Sequence, residues 1–200
     1  VVGVDLDQTK LAAARALCSS LRHVRFESRA IGDGSLKSLG PFDVVYARFL
    51  LSHLTDVPAV LAEFSSALKS GGQIIVEDVD FKGHFSWPQN DGFDAYVEWY
   101  QEAAKRRGAD AGIGRRLPAL LNEAGFDDVD VTVAQPCGFV GPAKQLSALT
   151  LAAVADSIVD AGVATRAQVA AALVSINAAT DDPTVLFSAT RVVQATGRRR

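Results

Sequence analysis

The residues able to do chemistry in this chain stand where apolar runs stop. "VVGV" runs into Asp5, with Asp7 two residues on; "AIG" precedes Asp33; "FDVVYA" leads to Arg48 and then His53; "QIIVEDVD" carries Asp78 and Asp80, with His84 soon after. Carboxylates and imidazoles at such points accept hydrogen bonds or take a proton from a bound molecule. Five of them have a plain structural alternative. Asp7 directly precedes an amphipathic run and is the natural cap of a helix, a role Asp5 could take instead. Asp33 lies in a Gly-Asp-Gly turn, where Asp is favoured for backbone reasons. Arg48 could be half of a surface ion pair, and His53, just ahead of a helix cap, could bond the turn. Cys18 and Cys137 show no Cys/His spacing of a metal site, so no metal is expected and the thiols should be reduced and buried.

Strands and helices must alternate to position these residues. Val1 to Asp5 reads as a buried strand, and residues 8–21 place Leu11, Ala14, Leu17, Cys18 and Leu21 on one helical face. "HVRFESRAI" predicts a second strand, "GDGS" a polar turn and "FDVVYA" a third strand. Asp56 to Ser70 carries Val57, Val60, Leu61, Phe64 and Leu68 on one stripe, opens with Asp56 ahead of Pro58, and should close on Gly71 and Gly72. Next come the strand "GQIIVEDVD", an aromatic-rich stretch from Phe81 to Tyr100, a helix around "GRRLPALLNEAGF" and the strand "DVDVTVA". Residues 144–161 and 165–178 read as two helices, the second opening on Thr165 and Gln168 in capping-box spacing. One last strand, "VLFSATRVVQATG", ends the chain. Each parallel crossover needs a helix to return the chain. The expected class is therefore α/β: Rossmann-like and doubly wound, a mostly parallel sheet with an antiparallel last strand and helices on both faces. Ligands of such sheets bind outside the carboxyl ends of the strands, which singles out Asp5, Asp33, Ala47 to His53 and Glu77 to Asp80.

Composition narrows the partners. With 200 residues and 48% apolar content, one domain is expected. A net charge of −3 argues against nucleic acid and against anionic lipid, and "GRRR", Gly197 to Arg200, reads as a solvated tail. No apolar run approaches the ~20 residues of a membrane span, so no membrane contact and a cytoplasmic location are expected. The chain has no Met and starts inside an apolar strand, so further sequence is expected in front of Val1.

Taken in order, "VVGVDLD", "GDGSL", "FDVVYARFLLSHLTD", "LKSGGQIIVEDVD" and "LLNEAGFDDV" resemble the class I S-adenosylmethionine-dependent methyltransferases, particularly those acting on small molecules. The resemblance spans nearly the whole chain. It implies that Asp5 accepts hydrogen bonds from both ribose hydroxyls of S-adenosylmethionine, two bonds that a carboxylate can take together. It implies that Asp33 receives the adenine amino group with Gly34 and Leu6 flanking the base, and that backbone groups of Ala47 and Arg48 lie beside the methionine end. The partner so implied is a small-molecule methyl acceptor. Should that acceptor be a hydroxyl, His53, Asp78, Asp80 and His84 are the candidate bases; the catalytic residue itself is not assigned.

One departure from the family pattern is large. Its first strand and Gly-rich loop would lie upstream of Val1, so this chain should begin at the family's second strand. "GADAGIG", Gly108 to Gly114, follows a helix and cannot substitute. Two helical insertions, about 81–107 and 144–178, are expected on the cofactor side, touching one another and walling the acceptor pocket; otherwise their stripes would serve a homodimer. Two other functions stay open. One is an inactive methyltransferase-like binding or interaction module; the other, an NAD-dependent oxidoreductase, would need a Gly-rich loop and a catalytic Tyr/Lys or His arrangement.

Overall fold

The computed structural model describes residues 1–200, in which strands and helices alternate as expected for an α/β chain. β1 (Val2–Asp5), α1 (Gln8–Leu17) and β2 (Arg25–Ser28) form the first unit; β3 (Phe42–Arg48), α2 (Val57–Ala67) and β4 (Leu68–Asp80) form the second. β5 (Ser86–Trp87), α3 (Asp91–Arg106), α4 (Leu117–Glu123) and β6 (Phe126–Ala134) follow. β7 (Cys137–Gly138), α5 (Pro142–Asp160), α6 (Arg166–Asp181), β8 (Leu186–Ser188) and β9 (Arg191–Arg199) complete the chain.

β1 and β2 pair in parallel, with Asp5 opposite Ser28. A separate sheet has the order β3-β4-β9-β6, in which β3 and β4 are parallel and β9 runs antiparallel to both its neighbours. No ladder joins β1 to β3, so each keeps one edge without a paired strand. β5, β8 and β7 form a small antiparallel sheet.

Two apolar cores hold these layers. Ala47, Ile74, Val76, Val193 and Ala195 point from the four-stranded sheet onto Val60, Leu61 and Phe64 of α2 and Leu117 and Leu121 of α4. The second core unites α3, α5 and α6 through Phe93, Tyr96, Leu151, Ile158, Val169 and Ile176, and it takes in Phe81, the residue after β4. Each buried Val, Leu, Ile or Phe among these contributes about 1.5 to 3 kcal/mol by leaving water. The helical segments after β4 and before β8 thus pack on each other at the carboxyl end of β4, although Leu146 and Leu149 of α5 remain exposed. No helix is long and apolar enough to cross a membrane.

Cap grammar explains where the helices start. Asp7 accepts from the amides of Thr9 and Lys10 at 2.8 and 3.2 Å, so Asp7 and not Asp5 caps α1. Asp56 accepts from Ala59, and Thr165 with Gln168 completes a capping box on α6.

The ends depart from expectation. α1 stops at Leu17, and of its stripe only Leu11 is buried while Leu17 is 85% exposed; a two-stranded ribbon offers too little apolar surface to cover a whole stripe. α2 stops at Ala67 rather than at Gly71, because the buried Leu68 leaves the helix to pair with Phe42. The last strand is two strands broken at Ala189 and Thr190: β8 joins the small sheet, while β9 threads between β4 and β6. Its far end recruits the terminal basic run. Gly197 pairs with Ile74, Arg199 with Phe126, and Arg200 forms an ion pair with Asp127 at 2.8 Å, so the run is no solvated tail. Cys137, on the short β7 ribbon, is exposed, and Cys18, at the end of α1, is half-buried; both are free thiols, and neither fills a core as expected.

Candidate functional site

Capping duty falls on Asp7, which frees Asp5. The Asp5 carboxylate takes one intramolecular bond, through Oδ1 from the Asp7 amide at 2.9 Å, and its Oδ2 has no protein donor. Leu6 beside it is 65% exposed, open for contact. Because Asp5 pairs in register with Ser28, the loop leaving β2 starts at the neighbouring carboxyl end, and the Arg29 amide donates to the Asp5 carbonyl.

That loop is shaped by Gly32 and Gly34, whose φ values of +100° and +82° suit glycine. Asp33, between them, accepts from the Ser35 amide at 2.9 Å. The Ser35 hydroxyl and amide hold its carboxyl below the usual carboxylate range. Glu63 clamps the loop from α2: it accepts from the Gly32 amide at 2.5 Å and from the Leu36 amide at 2.9 Å. Sequence reasoning overlooked Glu63. Its signal was an acid set among the apolar positions Val60, Leu61 and Phe64, and it is buried there without a basic partner.

The end of β3 is built differently. Ala47 faces the core and offers only its backbone. Arg48 is half-exposed, with Nε 3.3 Å from Glu77 Oε2, so the surface ion pair weighed for it is present. The Tyr46 hydroxyl donates to the same oxygen at 3.2 Å, and the Gln194 side-chain amide donates to the other. Phe49 then turns the chain at φ +50°, a strained conformation for a bulky residue, with the Arg48 guanidinium 4.7 Å above its ring. Asp5 ends β1 with Leu6 after it, and Asp33 and Gly34 lie on the loop that leaves the neighbouring β2, whereas Ala47 and Arg48 belong to another sheet.

Of the four candidate bases, three are committed to structure. Buried Asp78 accepts from the amides of Ser52 and Val79 at 3.0 and 2.8 Å. Buried Asp80 pairs with Arg115 and with Arg191, the latter at 3.2 Å. His84 lies among the rings of Phe81, Phe93 and Tyr96, with Nδ1 2.8 Å from the Phe81 carbonyl and Nε2 2.9 Å from the Thr190 hydroxyl. Burial pushes its imidazole down, and a neutral ring donating from Nδ1 and accepting at Nε2 satisfies both contacts. His53 alone is exposed. The aromatic stretch divides as well: Phe81 stacks on Tyr100 at 3.8 Å and Tyr96 is buried, while Phe85 and Trp87 face solvent.

The chain is similar to several known proteins. Residues 1–74 match the family described as "Methyltransferase domain". Phosphoethanolamine N-methyltransferase 1 of Triticum aestivum is 32% identical over 133 residues, covering 64% of this chain and 24% of that protein, so the match spans about a quarter of that relative's length. In structure the chain is similar to the YcgJ protein of Bacillus subtilis, with TM-score 0.56 and 15% identity over 100% of this chain and 82% of that one. It is also similar to phosphoethanolamine N-methyltransferase 2 of Haemonchus contortus, solved with phosphomonomethylethanolamine and S-adenosylhomocysteine, with TM-score 0.50 and 16% identity over 100% of this chain and 44% of that one. At such identities the structural likeness establishes the fold.

Proposed function

We propose, from the premise that this chain belongs to the class I S-adenosylmethionine-dependent methyltransferase family, that it transfers a methyl group from S-adenosylmethionine to a small organic acceptor. One observation carries the reading. The segment that matches the family holds both Asp5, with an unused carboxylate oxygen, and the Gly32–Gly34 loop clamped by Glu63 after the neighbouring strand. These residues fit a nucleoside: Asp5 would hold the ribose hydroxyls, and Asp33, Gly34 and Leu6 the adenine. Ala47 and Arg48 would lie along the methionine end.

The bound sulfonium supplies an already activated methyl group. Transfer to the acceptor atom would leave the carbon–sulfur electron pair on sulfur and require the acceptor to give up a proton. Little is asked of side chains beyond alignment and the exclusion of water. His53 is the exposed group able to take that proton from a hydroxyl acceptor. In this reading the segments 81–107 and 144–178 are insertions that wall the acceptor side, which is why the stripes of α5 and α6 are spent largely inside the chain rather than on a homodimer.

Radiolabelled methyl transfer by the full-length protein tests the proposal, with phosphoethanolamine, the acceptor named for the wheat relative, as the first of a panel of small amines and phenols. Transfer to a panel member with release of S-adenosylhomocysteine is expected. Absence of transfer to every acceptor, together with no S-adenosylhomocysteine binding, overturns it.

A further inference from the structure

A groove of about 420 Å3 opens beyond the carboxyl end of β4, between α3 and the chain from 109 to 116. Its wall carries Lys82, Lys105, Arg115 and Arg116, with Gln101 and a single acid, Asp110. That concentration of positive charge is notable in a chain whose net charge is −3.

The nearby acids are already used. Asp110 accepts from the Gly112 amide through Oδ1 and from Arg116 Nη1 through Oδ2, both at 2.9 Å. Asp80, behind the wall, divides its charge between Arg115 and Arg191. Glu102, one turn from Lys105 on α3, is paired with Arg106 at 2.8 Å. Lys82 and Lys105 are both exposed, and no carboxylate lies within ion-pair distance of either. Two ammonium groups without an ion-pair partner thus share a concave wall with two guanidinium groups, each of which spends only part of its donor set on a carboxylate. Like charges held together raise the energy of the empty groove, and an anion with several acceptor oxygens relieves it.

Rigidity is supplied from behind. The Phe81 amide donates to the Ala111 carbonyl at 2.9 Å, and the Asp110 amide donates to the Ser52 carbonyl at 3.2 Å. The basic wall is therefore fastened to the tail of β4 and to the segment that ends in His53.

We propose that this groove binds a phosphate group. A phosphate monoester carries about −1.5 to −2 charges at neutral pH and three acceptor oxygens. That matches two unpaired lysines as point charges and the spare donors of Arg115 and Arg116 as forks. The anion chemistry follows from the groove and stands apart from the methyl-transfer reading. Its source is either a phosphorylated organic molecule or the free ion.

Calorimetric titration of the full-length protein at low ionic strength tests this, with inorganic phosphate, glycerol 1-phosphate and glycerol as probes. Both phosphates should bind and glycerol should not, and raising the salt concentration should weaken binding. Lys82→Ala/Lys105→Ala should weaken binding about tenfold or more by removing two charge contacts. Lys82→Arg/Lys105→Arg should retain it, and neither pair should move the melting temperature. Tighter binding of glycerol 1-phosphate assigns the groove to a phosphorylated organic molecule, and equal binding assigns it to the ion. No binding of either phosphate at about 10 mM, tenfold above a Kd of about 1 mM, overturns the proposal, as does equal binding by the alanine pair. S-adenosylhomocysteine affinity, unchanged in these variants, separates this failure from failure of the methyltransferase reading.

Discussion

The first forty residues and the helical unit of α3, α5 and α6 solve opposite problems. Of residues 1–40 only Leu11 and Leu36 are buried, and the shape of that region comes from hydrogen bonds: Asp7 on a helix start, Asp5 on the Asp7 amide, and Glu63 clamping the 32–36 loop. The helical unit instead buries a cluster of fourteen residues around Phe93 and Tyr96. On the proposed reading, the contrast separates two tasks. A nucleoside needs exposed, oriented acceptors and backbone, which polar clamps provide; a wall against water needs apolar mass.

The comparison breaks first on stability. Phe93→Ala, at a site packed on Phe187 with ring centroids 4.7 Å apart, should cost about 3 to 5 kcal/mol in denaturant unfolding. Leu11→Ala should cost clearly less, and equal losses would erase the contrast. Asp5→Ala should then weaken S-adenosylhomocysteine binding by about 1.5 to 3 kcal/mol, while unfolding stability falls by less, about 0.5 to 1 kcal/mol for the one bond to the Asp7 amide. A variant as destabilised as it is weakened would return Asp5 to a structural role. Glu63→Gln keeps the shape but gives up a charged acceptor for two amides. It should lose about 1 to 3 kcal/mol of stability and loosen cofactor binding without changing the acceptor KM; a shift confined to the acceptor KM would refute the clamp.

The smallest effect is one of pH. His84 has its folded pKa lowered by burial below the ordinary 6.5, so between the two values the unfolded chain binds the proton and the folded chain does not. Its contribution is full above pH 6.5 and is lost as pH falls through the folded value. Unfolding measured from pH 7 downward should therefore show a steeper loss in the wild type than in His84→Gln. Parallel curves would mean that His84 titrates freely.

Much of this was legible in the sequence, for identifiable reasons. Caps are local, so Asp7, Asp56 and the Thr165–Gln168 box could be read from spacing alone, and the assignment of Asp7 to the helix is what leaves Asp5 available. Strand pairing is not local. Leu68 leaves its helix because Phe42 waits across the ladder, and the break at Ala189 and Thr190 exists because β8 and β9 answer to different sheets. The same holds for the site. Nothing near Asp78 or Asp80 in sequence announces the Ser52 amide or the two arginines that consume them, and the Arg48–Glu77 pair depends on strand register.

The central claim is that Asp5 and the clamped loop form a nucleoside site. Calorimetric titration of S-adenosylhomocysteine into the full-length protein and into its Asp5→Ala variant tests it most directly. The account predicts saturable binding at one site per chain that weakens at least about tenfold in the variant, the equivalent of about 1.4 kcal/mol. Saturable binding of equal strength in both proteins, or no binding to the wild type, would contradict it.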